Sequence, residues 1–175
     1  MRTRVAHFVG AAAMAAGLLA AVPSNATAEP AAAGAEARYE GQRINLREEG
    51  WRGAHTCVVT TPQDIDCYGK GSEADAALGY DRSADAKALP ACARGWLCLY
   101  EHVNGGGRRL IFNDEYWHDL NEYGFANKAS SWRNRQSRGD TGGLKMGNGQ
   151  QIWIGAPEYS SNLGGYNDRA RWVHG

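Results

Sequence analysis

The sequence predicts an all-β fold: a sandwich of two Greek-key motifs, preceded by a small disulfide-stapled β-hairpin with one short helix. Three observations carry this reading. The 175 residues include 23 glycines, eight tyrosines and six tryptophans, a composition of short strands and turns, and they contain no long amphipathic helix. The C-terminal half repeats: Gly107-Arg108-Arg109-Leu110-Ile111-Phe112 corresponds to Gly149-Gln150-Gln151-Ile152-Trp153-Ile154, and Phe125-Ala126-Asn127-Lys128-Ala129-Ser130-Ser131-Trp132 to Tyr166-Asn167-Asp168-Arg169-Ala170-Arg171-Trp172-Val173, at offsets of 42 and 41. Only two copies fit, whereas a propeller needs about four, and two Greek keys packed face to face bury each other's apolar sides. The third observation is four cysteines grouped upstream of and at the start of this repeat.

The elements follow in chain order. Arg2 and Arg4, an uncharged run from Phe8 to Val22, Pro23 and the small residues Ala26-Thr27-Ala28 form the pattern of a secretory signal peptide over residues 1–28. The run is shorter than the roughly 20 residues a helix needs to cross a bilayer, so a cleaved signal is expected rather than a retained anchor. Removing 28 of 175 residues leaves 147, and losing Arg2 and Arg4 leaves 17 basic against 19 acidic residues. That balance gives no general pull toward nucleic acid or anionic membrane. A secreted, extracellular, monomeric protein that contacts no membrane after cleavage is expected.

Residues 29–38 are Ala-rich and of low complexity and are expected to form a disordered leader. Residues 39–90 form the hairpin-plus-helix region. Arg43–Leu46 and His55–Thr60 read as strands, Pro62-Gln63-Asp64 as a turn, and Ile65–Tyr68 as the returning strand. Ser72-Glu73-Ala74-Asp75 has capping-box spacing ahead of Ala76-Ala77-Leu78, with Gly79 as the stop. Residues 91–175 form the double Greek key, with units at about 91–135 and 143–175. In an oxidising compartment Cys57, Cys67, Cys92 and Cys98 are expected as disulfides. Four cysteines allow three pairings; the local one, Cys57 with Cys67 across the hairpin and Cys92 with Cys98, is expected.

Trp96-Leu97-Cys98-Leu99-Tyr100-Glu101, the glycines Gly105 to Gly107 and the segment Asn127-Lys128-Ala129-Ser130-Ser131 together resemble the βγ-crystallin Greek key. The cystine just before Tyr100-Glu101 narrows the resemblance to the secreted bacterial metalloproteinase-inhibitor family, small double-Greek-key proteins with two disulfides. The resemblance covers Ala91 to Gly175. It implies a glycine-made fold-over of the first hairpin; the second unit has no counterpart of Tyr100-Glu101 and a shorter first hairpin. It also implies calcium as the one cofactor to weigh, since in calcium-binding relatives the two closing segments share oxygen ligands. Asn127, Ser130, Asn167 and Asp168 fit that pattern. Ala126 and Arg171 depart from it, and Arg171 offers no acceptor. Loop capping by the same side chains is the expected reading, so no cofactor is required, with one weak calcium site as the alternative.

No histidine lies in an HExxH segment or near a GxSxG. Glu115 precedes His118 by three residues without a second ligand, and no nucleophile has a visible base. A non-catalytic protein is therefore expected. The family resemblance implies a protease as partner, bound by a rigid loop. Asp114, Glu115, Tyr116, Trp117 and His118 are the candidate contact loop, and Arg135 to Gly143 the second candidate. Tyr116 and Trp117 supply rigid anchors, and Asp114, Glu115 or His118 an acidic or imidazole group for an active-site zinc. The competing reading of the two aromatics is core packing, and that of the whole protein an extracellular structural or weakly calcium-binding module.

Overall fold

The computed structural model describes residues 33–85 and 90–175, so the expected signal peptide, 1–28, lies outside the described residues. Upstream of the repeat are β1 (Glu36–Tyr39), β2 (Gln42–Asn45), β3 (Thr56–Thr61), β4 (Asp64–Tyr68) and α1 (Gly71–Ala77). The first repeat unit supplies β5 (Leu97–Tyr100), β6 (Arg109–Phe112), β7 (Trp117–Asp119) and β8 (Ser131–Asn134). The second supplies β9 (Thr141–Met146), β10 (Gln151–Gly155), β11 (Glu158–Ser160) and β12 (Ala170–His174).

These strands form two sheets, one in the order β11-β8-β5-β6-β3-β4-β1-β2 and one in the order β10-β9-β12-β7. Each repeat unit lends its third strand to the other's sheet: β7 pairs with β12, and β11 with β8. This exchange is the arrangement expected of a βγ-crystallin-like pair of Greek keys. Side chains alternate along a strand, so Leu97, Leu99, Leu110 and Phe112 from one sheet meet Leu144, Met146, Ile154 and Val173 from the other in the buried core. Val58, Cys98, Tyr100 and Ile111 point the opposite way, and Ala74 of α1 and Cys92 cover them in a second buried cluster. Burial on both faces explains why β5 and β6 read as continuous apolar runs.

The upstream region continues the same sheet. β3 lies parallel to β6, with Cys57 opposite Leu110 and Val59 opposite Phe112. Ile44, Leu46, Trp51, Val59 and Ile65 join the core of the repeat, and the Trp51 indole donates to the Tyr123 carbonyl at 2.7 Å. The boundary at residue 90 is thus one of sequence pattern, not of packing. The leader expectation needs correction for the same reason. Glu36–Tyr39 is a strand, Ala35 and Ala37 are buried, and the Ala35 amide donates to the Glu122 carbonyl. Small side chains suit a strand flanked on both sides by partners, where little apolar area is required of each residue.

Both local cystines form, Cys57–Cys67 and Cys92–Cys98. The helix begins earlier than its spacing suggested: Lys70 is the N-cap, and the Glu73 carboxylate accepts from its amide at 3.1 Å. Gly79 supplies the left-handed stop at φ 63°. Arg109 of β6 is 3% exposed; it pairs with Asp75 of α1 at 2.7 Å and donates to the carbonyls of Gly71 and Ala91 at 2.8 Å. One guanidinium therefore holds the helix and the start of the cystine loop onto the sheet. Arg109→Met leaves Asp75 buried without a counter-charge and is expected to cost about 3–5 kcal/mol in urea denaturation, with Asp75→Asn restoring part of the loss.

In the first unit the β5–β6 hairpin folds over. His102 donates to Gly106, and Ser131 Oγ donates to the His102 carbonyl at 2.6 Å while accepting from the Gly105 amide at 3.0 Å. Arg108 clamps Glu101 through two side-chain bonds, 2.8 and 2.9 Å, and holds its carboxyl down to about 2. A depressed carboxylate stabilises the fold above its unfolded pKa and loses that contribution as the pH falls toward the folded value. The stability difference between the native protein and Arg108→Gln is therefore expected to be largest near pH 6 and to shrink between pH 4.5 and about 2, read by urea midpoints across that range.

Candidate functional site

The strand registers sort the connections into two ends of the sandwich. Leu97, Phe112, Asn134 and Glu158 align at one end of the larger sheet, and Trp117, Thr141, Gly155 and His174 at the matching end of the smaller. That end gathers the cystine loop 93–96, the β6–β7 connection 113–116, the inter-unit linker 135–140 and the C-terminus. The opposite end gathers the fold-over hairpin and the closing segments before β8 and β12. The two sequence-predicted protease-contact loops therefore share one end, and the calcium candidates share the other.

At the first end the β6–β7 connection forms a braced tip. Tyr116 is 66% exposed and Trp117 38%, so neither is a core aromatic. His118 is different: it is buried, its ring tilted against Phe112 at 4.8 Å between centroids, with both ring nitrogens engaged. With Nε2 protonated the ring donates to Asp114 Oδ1 at 2.7 Å, and Nδ1 accepts from the Tyr123 hydroxyl at 2.8 Å. His118 is buried with both nitrogens engaged, and Asp114 has one oxygen on His118 and the other buried, so neither faces outward toward a protease zinc, which corrects the sequence expectation. The acidic partner of His118 is Asp114, four residues before it, and not Glu115. The chain Asp114–His118–Tyr123 has the connectivity of a catalytic relay, yet Tyr123 is 1% exposed and burial drives its hydroxyl pKa upward. It serves as a brace. What it leaves outside is Glu115, exposed and without a partner among the described residues, next to Tyr116.

Two neighbours complete this end. A groove of about 620 Å³ runs between the cystine loop and β11, lined by Arg94, Gly95, Arg135, Pro157 and Tyr159. Arg133 and Arg135 both bind the Asp85 carboxylate, which Arg133 holds well below the usual carboxylate range. The second candidate loop carries Ser137, Arg138 and Gly139 exposed in a turn closed by the Asp140 amide on the Ser137 carbonyl, 3.0 Å.

At the opposite end the two closing segments interlock. Asn127 and Asp168 hold equivalent left-handed conformations, φ 57° and 56°; the Asn127 amide donates to Ala170 and the Asp168 amide to Ala129. Ser130 Oγ donates to Asp168 Oδ1 at 3.1 Å, while Asn167 turns aside to Asn162. Arg171 reaches Asp119 at 3.0 Å. Of the four calcium candidates, Ser130 and Asp168 are thus in side-chain contact. Among the described residues no group of three or more His, Cys, Asp or Glu side chains is placed to hold a metal.

Residues 85–141, about one third of the chain, match peptidase inhibitor family I36; the match spans the first Greek key with its cystine. Among solved structures the chain is similar to a βγ-crystallin from Ciona intestinalis, 25% identical with a TM-score of 0.37, over 46% of this chain and 98% of that one. It is also similar to a structure described as concerning the evolution of the eye lens βγ-crystallin domain fold, 20% identical with a TM-score of 0.41, over 51% of this chain and 91% of that one. Comparison with curated proteins gives no match. The fold assignment rests on the exchanged strands rather than on these likenesses.

The brace is testable apart from any partner. His118→Phe keeps an aromatic ring and strands the Tyr123 hydroxyl and the Asp114 carboxylate. It is expected to cost about 1–3 kcal/mol and to raise amide hydrogen exchange across residues 113–116 selectively, with exchange at β8 and β12 unchanged.

Proposed function

We propose that this chain, whose residues 85–141 carry the peptidase inhibitor family I36 pattern, is a secreted, non-catalytic inhibitor of an extracellular metalloprotease, and that its contact element is the tip at Glu115 and Tyr116. The observation that carries the tip assignment is the contrast between an internally braced base and an unpaired, exposed apex. Asp114 Oδ1 and both ring nitrogens of His118 are spent on holding the turn, which removes conformational freedom before any partner arrives. Tyr116 then offers a rigid amphipathic anchor for a subsite. Glu115 presents a carboxylate whose oxygens suit a catalytic zinc, a metal that binds carboxylate at about 2.0–2.2 Å and keeps an open position for a ligand. Inhibition in this mode needs no bond-making by the chain: the tip occupies the cleft and displaces the zinc-bound water. Secretion accords with the two cystines, and among the described residues no helix is long and apolar enough to cross a membrane.

A second reading, a βγ-crystallin-type extracellular module that binds one weak calcium ion, draws on the Ser130–Asp168 contact. Heat on calcium addition, with no protease inhibited, would select it.

The test is inhibition of a thermolysin-like metalloprotease by the oxidised protein and two variants, with a chymotrypsin-like serine protease alongside. Glu115→Gln and Tyr116→Ala are each expected to weaken metalloprotease inhibition at least tenfold, about 1.4 kcal/mol or more, with unfolding midpoints unchanged. Inhibition of the serine protease alone, or variants as potent as the native protein, would sink the proposal.

A further inference from the structure

The two sheets differ on their outer faces. The outer face of the larger is covered by α1 and Cys92, whereas Trp117 and Trp153 stay 38% and 62% exposed on that of the smaller. An uncovered face of an antiparallel sheet ordinarily carries polar side chains. Here one register row crosses Trp153, Gly143, His174 and Trp117, and the next crosses Gln151, Lys145, Trp172 and Asp119. Three tryptophans thus occupy a bare face that bears no aliphatic side chain in these two rows.

The rings are held in place. Trp117 and Trp153 approach to 6.2 Å between centroids, and they do so over Gly143, where a Cβ would lie 3.0 Å from Trp117 and 3.3 Å from Trp153. His174 meets Trp117 edge-on at 5.3 Å. Lys145 places its ammonium 5.0 Å from the Trp117 ring and 4.8 Å from the Trp172 ring. Trp153 is nonetheless 62% exposed. Side chains fixed on one side and bare on the other form a surface organised in advance for a ligand.

Composition selects the ligand. A protein-docking patch mixes aromatic with aliphatic and Met side chains around a dry centre, and this face has rings, a glycine and hydrogen-bonding groups only. A pyranose has the complementary make-up: an apolar C–H face for the electron-rich ring and a rim of hydroxyls for groups such as Gln151. Charge adds a preference. Asp119 is neutralised by Arg171, while Lys145 has no acidic partner among the described residues, so the face carries one uncompensated positive charge between two rings. We propose that the outer face of the four-stranded sheet binds a polysaccharide strand, its sugar rings stacking on Trp117 and Trp153 and a carboxyl substituent meeting Lys145. The surface borders the tip: Tyr116 lines one cavity with Trp117, Lys145 and Trp172, while Glu115 lies outside that lining.

Co-sedimentation of the oxidised protein with insoluble peptidoglycan, chitin and cellulose tests this. Retention on at least one matrix is expected, lowered at least tenfold by Trp153→Ala and by Gly143→Val and unaffected by Glu115→Gln. Trp153→Ala removes a mostly exposed ring and is expected to keep the native unfolding midpoint. Stronger retention on peptidoglycan than on chitin, equalised by Lys145→Gln, assigns the acidic strand; equal retention assigns the pyranose chain common to both. A protein left in the supernatant with all three matrices, or a Trp153→Ala variant retained like the native chain, overturns the proposal. So does loss of protease inhibition in Trp153→Ala without glycan binding, which would make the face a protein-docking surface. Because retention requires no protease, failure of the inhibitor reading leaves this result intact.

Discussion

The structure depends on one reciprocal constraint, the interlock of the two closing segments. The Asn127 amide bonds to Ala170 and the Asp168 amide to Ala129, at 2.8 and 3.0 Å, across matching left-handed residues. The first ties the closing segment of one unit to the start of β12, the second that of the other to the closing segment ahead of β8. With β7 and β11 exchanged between sheets, neither unit can complete a sheet alone, and the apolar faces of Leu99, Leu110, Leu144 and Val173 have no other place to bury. Fixing the closing segments at one end also leaves the other end to the connections that need freedom to vary. Loops positioned by a rigid scaffold are where binding concentrates, and here that end carries the braced tip.

The two units share a backbone plan and differ in what they cover. In the first, Ser131 pins the fold-over hairpin across its own sheet. In the second, Trp172 stands at the equivalent position, and the β9–β10 turn closes tightly, Met146 bonding to Gln150, with no fold-over. A single exchange of a small hydrogen-bonding residue for a large ring thus accompanies an opened sheet face. The upstream strands extend the larger sheet and α1 covers its outer face, which adds to the difference.

Much of this was legible in the sequence because it is periodic or local. The 41-residue offset placed Asn127 with Asp168 and Trp132 with Val173, and the pairs share backbone conformation and burial respectively. Short cysteine spacings gave local cystines, and Gly79 ended the helix. What stayed hidden was non-local. The parallel pairing of β3 with β6 joins strands about 50 residues apart and has no signature in either, and Ala35 and Ala37 look featureless until the core that buries them is known. Within the tip, spacing offered His118 two acidic neighbours; only the turn geometry selects Asp114 and leaves Glu115 outside. Of the tryptophans on the smaller sheet only Trp117 had a reading, as a rigid anchor or a core aromatic, and Trp153 and Trp172 had none beyond their places in the repeat. Their convergence needs the register of three strands.

A rigid apex on an interlocked sandwich is the central functional claim, and amide hydrogen exchange of the native chain, free and mixed with a thermolysin-like metalloprotease in stoichiometric amount, measures it most directly. Protection confined to residues 113–117 and their neighbours at that end, with the closing segments 126–130 and 167–170 unchanged, is the expected pattern. Protection at the closing segments, or at the cystine loop and linker with none at 113–117, would contradict it.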